Sequence, residues 1–285
     1  MNRTSPEAAM KRIFRLYFLF LIPFFLIRWA TLSQTDSSTG FFTGKPYGRY
    51  LFLFSLILAA VISVSAAVRF FRKKVIPVNP GSPSLVIQIL LSLTALFSLQ
   101  QLLIPPLTSQ ISSMVLSIGI FIFYAVSHLL CAAFFFILAM NKSLPSTVLS
   151  DLFASSPAIA FASQMFFLYA QKPINIHNSL AVLSLLCEGA LAIAWLRYCS
   201  ALLAGSTSAF PSAVGFTLFA FFLSVGFRLP ELFALPGRPS FLNIISVMHH
   251  VFASLLLMFM VLASIPGQHS SDEVEQETDD GEDTV

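Results

Sequence analysis

Charge is scarce in this sequence. Of its 285 residues, 10% are charged and 56% are hydrophobic, whereas a soluble domain carries about 25% charged residues. A soluble protein of this size must still cover its surface with polar groups, so a larger core cannot account for the deficit. The solvent for most of this surface is therefore lipid, and the composition excludes an ordinary soluble globular domain.

Cysteine is also scarce, and no catalytic or cofactor signature is present. The three cysteines, Cys131, Cys187 and Cys199, lie in apolar runs without a CxxC spacing. This is typical of buried structural thiols and disfavours disulfides and thiolate metal sites. There is no HExxH, GxSxG, Walker A or Gly-rich dinucleotide motif. We expect no cofactor, and the absence disfavours an enzyme without excluding one, because membrane enzymes can lack these motifs.

Most of the acidic residues lie near the C-terminus. Eight of the 13 acids lie between Asp272 and Asp283, so residues 1–271 carry 16 bases against five acids, a formal charge of +11. We therefore divide the chain into a transmembrane domain, residues 1–267, and an acidic tail, residues 268–285. The tail is polar and lacks aromatic residues, which predicts disorder. It could bind a basic protein partner or remain solvated, and no nucleic-acid partner is expected.

Long apolar runs dominate the rest of the chain. A helix needs about 20 apolar residues to cross the hydrocarbon core of a bilayer, and the connections between the runs are short and rich in Gly and Pro. The sequence therefore predicts an all-α, polytopic transmembrane helix bundle of about eight spans. The runs are 13–32, 50–71, 84–104, 111–140, 148–170, 179–200, 211–229 and 241–265.

Lysine and arginine predict the orientation. With the N-terminus inside, ten of these bases fall on the inner side and six on the outer side, and the segment from Arg69 to Lys74 is the strongest single signal. Cytoplasmic segments carry the excess of lysine and arginine. Eight spans then predict a multi-pass protein of the cell membrane with both termini in the cytoplasm.

Glu188 is the most informative ionisable residue, because it lies near the middle of the sixth run. A charged group at the centre of a membrane helix costs about 2.5–3.5 kcal/mol on insertion scales, so it is expected to face other helices. Its helical face also carries Ala181, Ser184 and Ala192, and small residues let a neighbouring helix approach closely. The sequence therefore predicts that Glu188 faces the interior of the bundle.

The eighth run offers a partner for Glu188. His250 lies on a polar stripe with Asn243, Ser246 and Ser254 at helical spacing, and such a stripe is expected to face inward. Glu188 and His250 each lie nine positions into runs that cross in the same direction, which is about 13–14 Å from the same edge. A hydrogen-bonded Glu188–His250 pair is therefore consistent with the spacing.

Two further histidines are candidates for a substrate or proton path. His249 adjoins His250 on a less polar face, and His128 lies in the fourth run near Tyr124. A lone histidine in an apolar run is more often a packed hydrogen-bonding group than a ligand. By residue type, the histidines and Glu188 would suit a transition metal. Their spacing forms no metal motif, so no metal site is predicted.

Basic residues gather at the predicted outer side of the bundle. One hypothesis is an outward-facing anion-binding vestibule. The alternative, which we favour, is contact with phosphate headgroups by long side chains that snorkel from the helix ends. Glu231 follows Arg228 by three residues and offers it a partner. The basic residues are Arg28, Lys45, Arg49, Arg228 and Arg238.

Three functional hypotheses follow, in decreasing order of support. The first is a small-solute transporter or permease subunit that uses Glu188 and His250 as a protonatable pair, as proton relays do. The second is a membrane sensor or assembly subunit that acts through protein partners. The third is an intramembrane enzyme acting on a lipid-like substrate, with Glu188 or His128 as the base. A continuous polar path across the bilayer would favour the first hypothesis. A clamp, meaning a buried polar contact that only holds two helices together, would favour the second.

Overall fold

The structure is a computed structural model that describes residues 11–265, apart from 13, 37–38, 44–45, 78–82, 104–113, 141–152, 172–177, 204–207 and 235–239. The described residues are mainly helical, and their only strand-like pairings are isolated bridges. Eight helices follow the predicted runs in order. They are α1 (Leu21–Leu32), α2 (Tyr47–Arg72), α3 (Leu85–Gln100), α4 (Met114–Ala139), α5 (Ser156–Gln171), α6 (Ser179–Leu203), α7 (Ala209–Phe221) and α8 (Phe241–Ala263).

Seven of these helices are long and apolar enough to cross a membrane when the helical turns that extend α1, α3 and α7 are included. The shorter one, α5, has 16 residues and a length of about 24 Å, against a hydrocarbon core of about 30 Å. The first residues of its predicted run, 148–152, lie outside the described residues. The predicted all-α polytopic bundle is confirmed, and the count of about eight becomes seven full-length helices and the shorter α5.

Helix α5 still extends along much of the depth of the bundle. Near its C-terminal end, the Phe167 ring stacks on Tyr124 of α4, with centroids 4.6 Å apart. Just before its N-terminal end, the carbonyl of Ala154 accepts a hydrogen bond from the Cys199 thiol near the end of α6, at 3.2 Å. These contacts tie α5 to α4 and α6 at opposite ends.

Helix α8 completes a ring of packed helices in the described bundle. Helices α3 to α7 pack each against the next, and α8 closes the ring between α3 and α7 while also touching α6. Helices α1 and α2 lie outside the ring, against α7 and its extension. Of its polar stripe, His250 and Ser254 are fully buried, whereas Asn243 and Ser246 are half-buried. Helix α2 instead exposes Ile57, Val61 and Val64, an apolar face suited to lipid.

Contacts between helix termini distinguish the two ends of the bundle. At one end, the Gln101 side chain, just after α3, donates to the carbonyl of Ile245 near the start of α8, at 3.4 Å. We call this the Arg28 end, because α1 ends there and carries Arg28 near its last turn. At the other, the Tyr198 end, the hydroxyls of Tyr198 and Ser264 lie 3.0 Å apart. Helices α6 and α8 therefore cross in the same direction.

The start of α1 lies at the Tyr198 end. The Phe14 ring packs on Phe70 near the end of α2, and Phe70 packs on Phe210 at the start of α7, with centroids 6.0 and 6.2 Å apart. Helix α7 begins six residues after α6 ends, which places these rings on the side where α6 and α8 end. Which compartment this end faces stays a prediction.

Helix α7 changes its geometry before it ends. Residues Phe222–Arg228 are π-helical, and the Leu229 N–H donates to the carbonyl of Ser224, five residues earlier, at 2.9 Å. A four-residue helical turn, Glu231–Ala234, follows. Such π-helical segments occur frequently at functional sites, and this one carries Ser224 and Arg228 toward the buried groups described next.

Candidate functional site

Glu188 and His250 form a buried pair between α6 and α8. The Nε2 atom of His250 is in hydrogen-bond contact with Oε1 of Glu188, and both side chains are fully buried. The contact forms because the two residues lie at equal depth on helices that cross in the same direction. The predicted Glu188–His250 contact is confirmed, while its part in a substrate or proton path stays a prediction.

Each partner of this pair retains one unpaired polar atom. Glu188 Oε2 and His250 Nδ1 have no hydrogen-bond partner within the described residues. A buried polar atom left without a partner costs about 1–3 kcal/mol. The π-helical segment that ends at Arg228 packs against both α6 and α8, the two helices that carry the pair. The pair is therefore a place where a proton or a polar solute could be accommodated.

His249 and His128 lie beside the pair but are held by aromatic contacts. The His249 ring stacks on Phe161 of α5 at 5.1 Å and lies 5.7 Å from the His128 ring. Neither nitrogen of His249 has a hydrogen-bond partner in the described part of the chain. His128 Nδ1 lies 3.2 Å from the Ser98 hydroxyl, and its Nε2 is also unpaired. The four predicted path residues are thus neighbours in the structure.

The geometry of these histidines does not assemble a metal site or a catalytic triad. Among the residues described, no three His, Cys, Asp or Glu side chains are grouped so that they could hold a metal ion. Ser98 and His128 are in contact, but His128 Nε2 has no carboxylate to orient it, as a nucleophile–base pair requires. This arrangement gives the intramembrane-enzyme hypothesis no specific support.

A second polar cluster, centred on Gln101, lies toward the Arg28 end. The Tyr124 hydroxyl donates to the Gln101 carbonyl at 3.1 Å, and the Gln164 amide donates to the Gln101 side chain at 3.4 Å. The Tyr124 ring also lies 4.5 Å from His128, which links this cluster to the histidines. Sequence analysis missed Gln101 and Gln164. The available signal was an amide side chain inside or at the end of an apolar run.

A buried ion cluster made of Arg28, Glu231 and Arg228 lies at the same end. Arg28 Nη2 is 2.9 Å from Glu231 Oε1, and Arg228 Nε is 3.2 Å from Oε2 of the same carboxylate. The side chains of all three are at most 4% exposed. The Arg28 guanidinium also lies 4.8 Å from the centre of the Phe52 ring, in the geometry of a cation–π contact.

This cluster changes the interpretation of the basic residues. Headgroup contact requires guanidinium groups at the lipid surface, whereas Arg28 and Arg228 are enclosed by protein. The predicted pairing of Arg228 with Glu231 is confirmed. Arg49 is half-buried on α2, and its headgroup contact stays a prediction. Arg238 and Lys45 lie outside the described residues.

The polar groups are concentrated toward the Arg28 end. Beyond the Glu188–His250 pair, toward the Tyr198 end, the buried side chains include Leu191, Ala194 and Leu257. The hydroxyl of Ser254 is the nearest polar group on α8, and it is satisfied by its own helix at 3.0 Å. The described side chains that follow the pair along α6 and α8 toward the Tyr198 end are therefore mainly apolar, and we call them the apolar layer; the polar groups among them include the Ser254 hydroxyl and Trp195 Nε1.

Comparison with known proteins does not assign this chain to a family: no family model, curated protein or solved structure matches it. The buried ionisable groups therefore carry the functional interpretation. They can exchange a proton within the pair, and they can present guanidinium donors to an acceptor.

Proposed function

We propose that this multi-pass membrane protein transports a small solute, with Glu188 and His250 as the pair that takes up and releases a proton. The observation that carries the proposal is the buried carboxyl–imidazole contact between α6 and α8. The pair has no net charge as an ion pair or as two neutral groups. Gain or loss of one proton changes the charge of this low-dielectric site by one unit, and therefore changes the energy of the site.

A change of protonation would therefore alter the contact between two helices. If one protonation state favours separation of α6 from α8, the pair becomes a two-state element biased by the proton. The hydrogen bond between Tyr198 and Ser264 joins the same two helices at the Tyr198 end. In the proposed cycle this end opens when the pair changes state, so that the site becomes accessible through the apolar layer.

A sensor or assembly subunit is the second candidate. The observation that favours it is the apolar layer, because a polar clamp that only fixes the helices needs no path to the Tyr198 end. In that case the layer stays closed whatever the protonation of the pair. The two candidates therefore differ in whether the layer ever admits water.

Accessibility of Ser254 tests the two candidates without knowledge of the solute. Ser254 lies one turn beyond His250 and is fully buried. In a background without Cys131, Cys187 and Cys199, a Ser254→Cys variant in vesicles would be treated with a membrane-impermeant maleimide on the Tyr198 side at pH 5.5 and pH 8. Transport predicts pH-dependent labelling that is lost when Glu188→Gln is added.

A matched control variant detects any maleimide that reaches the protein through the lipid rather than through the bundle. Ile193→Cys lies at a similar depth on α6, but its side chain is 40% exposed on the outside of the bundle. Its labelling should be weak and independent of pH. Ser254→Cys that stays unlabelled from the Tyr198 side at both pH values would support the clamp and contradict transport.

A further inference from the structure

The Arg28–Glu231–Arg228 cluster contains more donors than its carboxylate can satisfy. Each guanidinium has five N–H donors and no acceptor, and one carboxylate serves both. Arg28 Nε and Nη1 have no hydrogen-bond partner in the part of the chain that is described, and neither has Arg228 Nη1. Arg228 Nε is in ionic contact with Glu231 but lacks hydrogen-bond geometry. Several charged donors are thus buried and unpaired.

The charges of this cluster and of the Glu188–His250 pair belong to one site. Arg228 contacts Glu231, and the π-helical segment that ends at Arg228 packs against both α6 and α8, with the Ser224 hydroxyl 3.9 Å from the sulfur of Cys187, the neighbour of Glu188. The other titratable groups around the pair are Tyr124, His128, Cys187 and His249. None of them is a permanent charge, whereas both guanidinium groups are. The two arginines therefore set the charge that the carboxylates must balance.

The proton decides whether this site is neutral. When Glu188 is ionised and His250 is neutral, two carboxylates balance two guanidinium groups. When the pair gains one proton, the site carries one positive charge too many. A net charge buried in a membrane domain is costly, and a bound monovalent anion removes it. The forked donors of Arg28 and Arg228 suit a carboxylate in particular, because guanidinium and carboxylate pair in a bidentate manner.

We propose that Arg28, Arg228, Glu231, Glu188 and His250 form one site that binds a proton and a small monovalent anion together, with a carboxylate as the favoured ligand. As the identification of the transported solute, this inference rests on the proposed transport function. As a binding site, it stands independently of transport. A lipid phosphate does not fit the proposal, because both arginine side chains are buried rather than open to the bilayer, and the Phe52 ring lies against the Arg28 guanidinium.

Anion-dependent thermal stability tests the site. The full-length protein in detergent micelles would be unfolded by heat in sodium acetate, at an ionic strength held constant with bulky sodium 4-toluenesulfonate, which is fully ionised at both pH values. Acetate should raise the midpoint at pH 5.5. The apparent affinity should fall by about tenfold per pH unit above the pH at which the pair loses its proton, because ligands that bind together are linked reciprocally.

Charge variants give distinct expectations. Arg28→Gln removes the excess charge and should abolish stabilisation by acetate. Glu188→Gln and Glu231→Gln each remove one carboxylate from the site, which then keeps an excess positive charge at both pH values. Acetate should therefore stabilise both variants at pH 8 as well as at pH 5.5. Arg69→Gln, an exposed arginine near the end of α2, should behave like the unmodified protein. If Arg28→Gln fails to fold, the two glutamine variants still test the proposal.

The outcomes separate this inference from the proposed function. Absence of acetate stabilisation at both pH values, or a Glu188→Gln variant that still loses acetate binding at pH 8, would overturn the shared site. If acetate binds and the glutamine variants behave as described, but Ser254→Cys is never labelled, the anion site is supported and transport is rejected. If Ser254→Cys is labelled in a pH-dependent manner but acetate does not change the unfolding midpoint, transport is supported and the anion site is rejected.

Discussion

The guanidinium of Arg28, on the first helix, pairs with the carboxylate of Glu231, which follows 203 residues later, at 2.9 Å in the interior of the bundle. Arg28 lies near the end of α1, and Glu231 begins the helical turn after α7. The contact ties the peripheral α1 to the central helices. Because Arg228 shares the same carboxylate, loss of Glu231 would leave two buried charges without a partner.

Glu231→Ala should therefore destabilise the protein strongly. Removing one partner of a buried ion pair costs about 3–5 kcal/mol, because the remaining charge is left uncompensated. Glu231→Gln keeps an acceptor and should cost less. The measurement is chemical or thermal unfolding in detergent, with the exposed Arg69→Ala as the control. A loss for Glu231→Ala no larger than that for Arg69→Ala would show that the cluster does not hold α1 in place.

Two glycines offer a matched test of the helix packing. A Cβ at Gly215 of α7 would lie 2.9 Å from the Ala67 Cβ and 3.1 Å from the Ser63 carbonyl oxygen of α2, whereas a Cβ at Gly119 of α4 would meet nothing within 4 Å. Gly215→Ala should destabilise by about 1–3 kcal/mol through overpacking. Gly119→Ala should be neutral or stabilising by about 0.5–1 kcal/mol. Equal effects on unfolding would contradict the close α2–α7 contact.

The inward orientation and the matching depth of Glu188 and His250 could be predicted from the sequence because two constraints act on them together, whereas the contact of their helices could only be a hypothesis. A mid-span carboxyl must turn away from lipid, and the rise of 1.5 Å per residue fixes the depth of both side chains. Arg28 and Glu231 are different. A guanidinium near a helix end is stabilised equally well by headgroups or by a protein carboxylate, so the sequence does not decide between the two.

Other features escaped prediction for related physical reasons. Hydropathy reports how apolar a run is, not which helix it touches, so the enclosure of His249 by Phe161 and His128 could not be foreseen. The π-helical segment before Leu229 depends on a shifted hydrogen bond that no residue type specifies. The loop after α1 also docks on α6, where the Ser179 N–H donates to the Gly40 carbonyl at 2.9 Å. Such a contact has no periodic signal.

The orientation in the membrane is open to a direct test. Reporter fusions after residues 40, 78, 107 and 270 should read outside, inside, outside and inside, because lysine and arginine favour the cytoplasmic side. The described structure is consistent with this alternation, since α2 ends and α3 begins on the same side as the end of α8. A reporter after residue 270 that reads outside would reject the prediction that both termini are cytoplasmic.

The acidic tail should be dispensable for folding. Residues 268–285 lie outside the described residues, and their composition offers no apolar surface to dock. A chain ending at residue 267 should insert and unfold like the full-length protein. If activity falls while stability is unchanged, the tail binds a partner, as the sequence analysis allowed. A lower unfolding midpoint would instead show that the tail packs on the membrane domain.

Substitution of Glu188 separates a structural role from a role in proton transfer. Glu188→Gln retains hydrogen-bond donors and acceptors, so the fold should survive at a cost on the order of 1 kcal/mol, as for other polar contacts between membrane helices. Glu188→Leu leaves His250 without its partner and should cost more. If the carboxyl exchanges a proton during the cycle, Glu188→Gln should abolish the pH dependence of Ser254 labelling while the unfolding midpoint changes little.

His250→Gln provides the reciprocal variant for the same prediction. It keeps an amide that can contact Glu188 but removes the imidazole that shares the proton, so it should also lose the pH-dependent labelling. If the pair is only a structural clamp, neither glutamine substitution should change the labelling of Ser254→Cys. Only Glu188→Leu should then differ from the parent. Labelling that keeps its full pH dependence in both glutamine variants would remove the pair from the proton path, because neither member of the contact would then be needed for the response to pH.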